Sequence, residues 1–365
     1  SFVMSCSPQT HLNGRLFLRE YRNWFEHGWL TKKNYREVLK MQKKEIDHSA
    51  ANLNSASEVS VDPMVSVVIN VHNGDAFIAA AIESVLTQTY RNFELIIYNN
   101  CSTDGTGQIV ASAARRDKRV KLLSSTKKLK LYHARNLALR ETSGEFIAFV
   151  DSDDSWYPEK LDTAVERMIE ADADVFYSNF HIKDVRTNDR WVAYHTPLPS
   201  GRVLQELALN YSVALSTLVI RKSCLYENSI FFNENFDTIG DFDLVLRLAI
   251  DCEFTSSRTP LVEIQRHANN LSTLDAHNRI DEIELWERSW PSLKPRALRD
   301  FRRAKVTLLI DVFSHLGENS FKRLIKIVRE SNIGLLPRVA MSKFARYLAN
   351  QVKARLHKLA PPKWL

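Results

Sequence analysis

Apolar positions in the middle of the chain fall in short unbroken runs, and polar turns close each run. Val65, Val67, Val68, Ile69 and Val71 make one run, ended by His72-Asn73-Gly74-Asp75. Phe93 to Tyr98 makes a second, ended by Asn99-Asn100-Cys101-Ser102-Thr103-Asp104-Gly105-Thr106. A short third run lies at 120–123, and a fourth, Glu145 to Val150, ends in Asp151-Ser152-Asp153-Asp154. Between them the spacing turns helical: Phe77, Ile78, Ala81, Ile82 and Val85, then segments around 108–114 and 134–140. Runs this apolar belong to strands covered on both faces. Their alternation with helices predicts an α/β fold with a doubly wound, mostly parallel sheet. Residues 175–180 and 216–220 read as later strands of the same sheet.

The acidic turn at 151–154 carries the most chemistry. A chain leaving a buried parallel strand emerges at the carboxyl edge of the sheet, where open α/β folds bind ligands. Three carboxylates crowded there repel one another and call for a cation. Oxygen ligands suit a hard divalent ion, Mg²⁺ or Mn²⁺, of the kind that also holds substrate phosphates. The turn equally reads as a solvated cap for a helix starting near Pro158.

Taken together, several motifs resemble family-2 inverting glycosyltransferases of the GT-A fold. They are the stretch 81–90, Ser102-Thr103-Asp104-Gly105-Thr106, Ala134-Arg135-Asn136 and the stretch 144–156. Further on, Gly240-Asp241-Phe242-Asp243 resembles the acceptor-side motif, and Arg266-His267-Ala268-Asn269-Asn270 the closing segment. The likeness covers residues 63–275 and implies sugar transfer from a nucleoside diphosphate donor, UDP by expectation, to a glycan or lipid-linked acceptor in polysaccharide or glycolipid assembly. It implies that Asp153 ligates Mn²⁺ or Mg²⁺, that Asp151, Ser152, Asn73, Asn99, Asn100 and Arg135 serve the donor nucleotide, and that Asp241 is the general base. His267 falls where the family often puts a metal- or phosphate-facing histidine, and also reads as a polar loop residue. Asp241, just ahead of a helical pattern, also reads as its N-cap.

Three positions depart from the family. Asn99 and Asn100 stand where two aspartates are usual, the second gripping the base imide; a neutral amide makes a weaker bond than a charged one. Asn70 and His72 replace the Pro and Tyr of the first turn, and Gly240 replaces a Glu before the base. These departures leave a second reading open, a catalytically weak scaffold that binds nucleotide sugars or glycans. Trp156, Trp191 and Tyr194 are candidates for stacking on sugars or for core packing.

Composition adds the ends and the setting. The chain has 365 residues and a net charge of +7. Residues 321–365 hold eleven Lys and Arg against the single acid Glu330, a net +10 that leaves −3 for the rest. Phe344, Leu348, Val352, Leu356 and Leu359 recur there at helical spacing, predicting a basic amphipathic helix that lies on an anionic membrane surface or packs on the enzyme. Nothing resembles a nucleic-acid reading motif. Residues 15–27 and 32–47 read as two aromatic-rich helices for self- or partner-association, and 49–62 as a linker. The expected organisation is thus 1–62 extension, 63–275 catalytic domain and 276–365 basic helical region. Cys6, Cys101, Cys224 and Cys252 show no pairing pattern, which points to a reducing, cytoplasmic setting, peripheral at the inner face of the membrane. No run approaches the ~20 apolar residues of a membrane span. The opening Ser1 reads as the start of a trimmed or tagged chain.

Overall fold

A computed structural model of the chain describes residues 62–268, 270, 276–289 and 295–314. The expected N-terminal helices and basic C-terminal helix lie outside those residues.

The runs are strands. β1 (Val65–Val71), β2 (Phe93–Asn99), β3 (Val120–Ser124) and β4 (Phe146–Asp151) form the parallel half of a nine-stranded sheet. β5 (Ser155–Trp156), β6 (Val175–Asp184), β7 (Arg190–Val192), β8 (Val219–Arg221) and β9 (Phe254–Arg266) complete it. The order is β3-β2-β1-β4-β8-β6-β9-β5, with β7 beside β6. β8 runs antiparallel to β4 and β6, and β6 runs parallel to β9, so antiparallel pairing is confined to short strands. The predicted strand at 216–220 is shorter than expected, because Leu215–Thr217 coils into a 3₁₀ turn before β8.

Alternation along the buried strands builds a three-layer molecule. Val68, Ile96, Tyr98, Ile147 and Phe149 face one core. Val67, Ile69, Leu95, Ile97, Ala148 and Val150 face the other. The second core is roofed by α1 (Ile78–Leu86), α2 (Thr106–Arg116) and α4 (Lys160–Glu170). The first is roofed by α3 (Leu131–Arg140), α5 (Leu204–Leu209), α6 (Lys222–Glu227) and α7 (Gly240–Asp251), joined by α8 (Ala276–Arg288) and α9 (Pro295–Ser314). Ile283, Trp286 and Phe301 sit fully inside this core beside Phe242 and Leu244. The packed core therefore continues past residue 275, where the sequence resemblance stops.

Cys224 in α6 and Cys252 at the end of α7 are joined as a disulfide, 28 residues apart in sequence. This corrects the expectation of unpaired cysteines and removes the argument from cysteine usage for a reducing compartment. No described helix is long and apolar enough to cross a membrane.

Register places the turns together. Val71 pairs with Asn99, Asn70 with Asp151, and Asn99 with Ser124, so β1, β2, β3 and β4 end at one level. After β3 the chain crosses to β4 on the far side of β1. The crevice at such a switch point is where open α/β sheets bind ligands.

Candidate active site

A cleft of about 1230 Å³ opens at this carboxyl edge. It is walled by the first turn (Asn70, His72, Asn73), the acidic turn (Asp151 to Asp154), Tyr132 and Arg135 of α3, Asp241 of α7, and His267. Of the residues expected from sequence, Asn73, Asn100, Arg135, Asp151, Ser152, Asp153, Asp241 and His267 line it. Asn99 does not; its Oδ1 accepts the Ser102 N–H at 3.1 Å and shapes the turn behind the wall.

The acidic turn divides its charges among three settings. Asp151 Oδ1 accepts from Arg135 Nη2, whose guanidinium also faces the rings of Tyr132 and Phe232. The Asp151 side chain keeps 37 % of its surface open, and it lines the cleft. Close packing there pushes its pKa up to about 6; Arg135 opposes the rise, and the charges of Asp153 and Asp241 add to it. Turn and helix converge on one space, since Asp151, Asp153 and Asp241 all line the same cleft. Asp154 points inward, its Oδ2 accepting from Ser216 Oγ at 2.5 Å and its Oδ1 from Gln265 N at 3.3 Å. Burial, then Asp151 and Asp153, hold its pKa well above the usual carboxylate range. Ser216, fully buried, also accepts the Asp151 N–H on its Oγ at 3.0 Å, and its carbonyl accepts from Trp156 Nε1 at 2.8 Å. Trp156 is thus core, not a sugar platform; Tyr194 lines the cleft and Trp191 is exposed.

Asp153 takes the third setting. Its Oδ2 lies 3.0 Å from His267 Nε2 and 3.2 Å from Asn270 Nδ2. The His267 ring is stacked on Phe77 with centroids 4.7 Å apart, which fixes its aim. The separation is that of a hydrogen bond, and the carboxylate oxygen and ring nitrogen it sets side by side at the cleft are donor types that Mg²⁺ or Mn²⁺ takes.

Asp241 lies inside the first turn of α7, and Ile239 is the N-cap; this corrects the reading of Asp241 as a cap. Its Oδ1 accepts from Phe242 N at 2.9 Å and from the Tyr132 hydroxyl at 3.3 Å. The first turn of the helix sets its positive end beside this carboxylate. The approach to Asp241 is tied down by a residue no motif revealed. Glu282 of α8 accepts from Asp237 N at 2.6 Å, Thr238 N at 2.9 Å, Thr238 Oγ1 at 2.7 Å and Ile239 N at 3.1 Å. Trp286 of the same helix donates to Asp243 Oδ1 at 2.9 Å.

Beside the first turn, Asn100 is 3 % exposed and both ends of its amide bind the 125–129 loop. His72 Nδ1 lies 2.9 Å from Asn100 O. A carbonyl only accepts, so Nδ1 is the donor, and in the neutral ring Nε2 is the acceptor.

Residues 66–236 match the family described as Glycosyl transferase family 2. A glucosyltransferase of Escherichia coli, UDP-Glc:alpha-D-GlcNAc-diphosphoundecaprenol beta-1,3-glucosyltransferase WfgD, is 30 % identical over 220 residues, 58 % of this chain and 83 % of that one. The chain belongs to glycosyl transferase family 2. The putative teichuronic acid biosynthesis glycosyltransferase TuaG of Bacillus subtilis is 37 % identical over 108 residues, 30 % of this chain and 43 % of that one. Among solved structures, residues 1-349 of S. aureus TarS superpose with a TM-score of 0.54 at 20 % identity, covering 76 % of this chain and 90 % of that one. That likeness establishes the shared GT-A fold. Family membership makes this glycosyltransferase a nucleotide-sugar enzyme.

Proposed function

We propose that this enzyme transfers a sugar from a UDP-sugar to a hydroxyl of a lipid-linked glycan, with inversion and with a divalent ion. The observation that carries the reading is the convergence on one cleft of Asp241, at a helix N-terminus, and the Asp153–His267 pair, with Asp153 more than eighty residues from either of the other two. The WfgD name specifies UDP-Glc and a diphosphoundecaprenol acceptor for that relative. It supports the same classes of donor and acceptor here.

In this mechanism Asp241 takes the proton of the acceptor hydroxyl as its oxygen attacks the anomeric carbon. The bond from that carbon to the diphosphate oxygen breaks on the opposite face, so configuration inverts. Asp153 and His267 would hold a divalent ion, which when bound would supply positive charge against the leaving diphosphate. Arg135, released from Asp151, is suited to the same diphosphate. For the base, two acceptors remain beside β1: Asn70 Oδ1, buried with no hydrogen-bond partner, and His72 Nε2. Either matches the imide N–H of uracil.

The test uses the full chain with UDP-sugars and a lipid-diphosphate glycan acceptor, following product by mass and anomeric configuration. Asp241→Asn should keep UDP binding and lose about 10²–10⁴ in kcat, the usual worth of a general base. Wild-type turnover in that variant, or product with retained configuration, rules the mechanism out. Donor binding without turnover by the wild type under every condition favours the scaffold reading, for which the loss of the paired aspartates speaks.

A further inference from the structure

Position 240 directly precedes the proposed base, and a side chain there has no room. A Cβ on Gly240 would lie 2.5 Å from Tyr132 Cε2, 2.6 Å from its Cδ2 and 2.7 Å from its Cζ. Carbon atoms pack at about 3.5–4.0 Å. The ring has little room to retreat. Tyr132 is 2 % exposed, stacked on Phe232 at 5.3 Å, with the Arg135 guanidinium 5.5 Å from its centroid.

The same ring reaches Asp241 at two points. Its hydroxyl donates to Asp241 Oδ1 at 3.3 Å and accepts the Asp241 N–H at 3.4 Å. Burial first, then the Asp241 charge, hold the phenol well above its ordinary pKa, so it keeps its proton and acts as a donor. Phe242 N also binds Oδ1, at 2.9 Å. Among the described residues none hydrogen-bonds Oδ2.

We propose that Tyr132, given room by Gly240, is the positioning residue of the base: it ties down Oδ1 and leaves Oδ2 as the atom that takes the acceptor proton. The inference rests on the reading of Asp241 as base. It also explains why the glutamate common before the base is absent, because Tyr132 fills that space from another helix.

The experiment compares kcat, donor KM and melting temperature for Tyr132→Phe, Gly240→Ala, Tyr132→Ala and the double variant Gly240→Ala/Tyr132→Ala. Tyr132→Phe keeps the packed ring and removes only the hydroxyl. It should lower kcat about tenfold, the worth of one hydrogen bond to a charged group, with donor KM and melting temperature essentially unchanged. Gly240→Ala should also lower kcat in the native background. In the Tyr132→Ala background it should cost little more, a coupling that the double-mutant cycle isolates. Wild-type kcat in Tyr132→Phe overturns the proposal. So does a parallel loss of kcat, donor affinity and melting temperature, which marks a packing role alone. If Asp241→Asn keeps turnover, the reading of the base fails instead, and the inference goes with it.

Discussion

Asn100 holds the Leu129 peptide from both sides: its Nδ2 donates to Leu129 O at 2.9 Å, and its Oδ1 accepts the Leu129 N–H at 2.9 Å. Ser125 Oγ adds a third bond to Oδ1 at 3.2 Å. The clasp positions the loop that carries Lys128 and Lys130 into the cleft. It also makes the asparagine specific, because an aspartate would supply only acceptors and set one oxygen against the Leu129 carbonyl.

Asn100→Asp, although it restores the residue usual in the family, is therefore expected to destabilise the protein by about 1–3 kcal/mol, the cost of an unmet buried polar group. UDP binding should weaken with it. Denaturant unfolding and UDP titration check this, and tighter UDP binding at unchanged stability would return Asn100 to a base-contacting role. His72→Phe, which keeps a ring but loses the acceptor, should reduce the preference for uridine over other nucleoside diphosphates.

Glu282 gathers three backbone N–H groups and one hydroxyl at the entry to α7. Glu282→Ala leaves those buried donors without an acceptor and is expected to cost roughly 3 kcal/mol or more. Glu282→Gln should cost less, because one oxygen still serves the Thr238 and Ile239 donors. Unfolding free energies ranked Ala below Gln below wild type, with kcat falling in the same order, support the clamp. An Ala variant as stable as wild type removes it.

Glu94, at the opposite edge of the sheet, gives the stability its acid dependence. Burial alone would raise its pKa, but the bonds from Lys121, Ser143 and Ser66 outweigh that and bring it down to about 2 from 4.5. The folded state thus holds the proton less tightly than the unfolded state. The stabilisation is complete above pH 4.5 and is lost as pH falls from there towards 2. The shift corresponds to about 3 kcal/mol at most, less the share of the half-exposed Lys121. Glu94→Gln should be less stable than wild type at pH 7, with the gap closing between pH 5 and pH 2.5 in denaturant unfolding. A gap that stays constant across that range contradicts the assignment.

The stack of His267 on Phe77 bears on the metal. Asp153→Ala is expected to abolish the Mn²⁺-dependent part of UDP binding. Phe77→Ala leaves both ligands but frees the ring, and should weaken Mn²⁺ binding roughly tenfold, the usual effect of losing a partner that orients a ligand. Calorimetric titration of Mn²⁺ in the presence of UDP reads both. Equal UDP affinity with Mn²⁺ and with a chelator in the wild type sinks the metal assignment.

Much of this protein was decided locally. A parallel strand covered on both faces needs apolar residues at every position, so β1, β2 and β4 appear in the sequence as unbroken runs, and the turns that end them appear as polar clusters. Ordered motifs likewise mark Asp153, Arg135 and Asp241, which the fold brings to one cleft. What a side chain spends its hydrogen bonds on depends on partners far along the chain, and there only the tertiary structure decides. Asn100 is committed to a loop 29 residues away, Tyr132 meets Asp241 across 109 residues, and Glu282 reaches back 43–45 residues from a helix outside every motif. The Cys224–Cys252 pair and the close approach of the Tyr132 ring to Gly240 have the same origin, since neither spacing nor residue type records which surfaces a folded chain brings into contact.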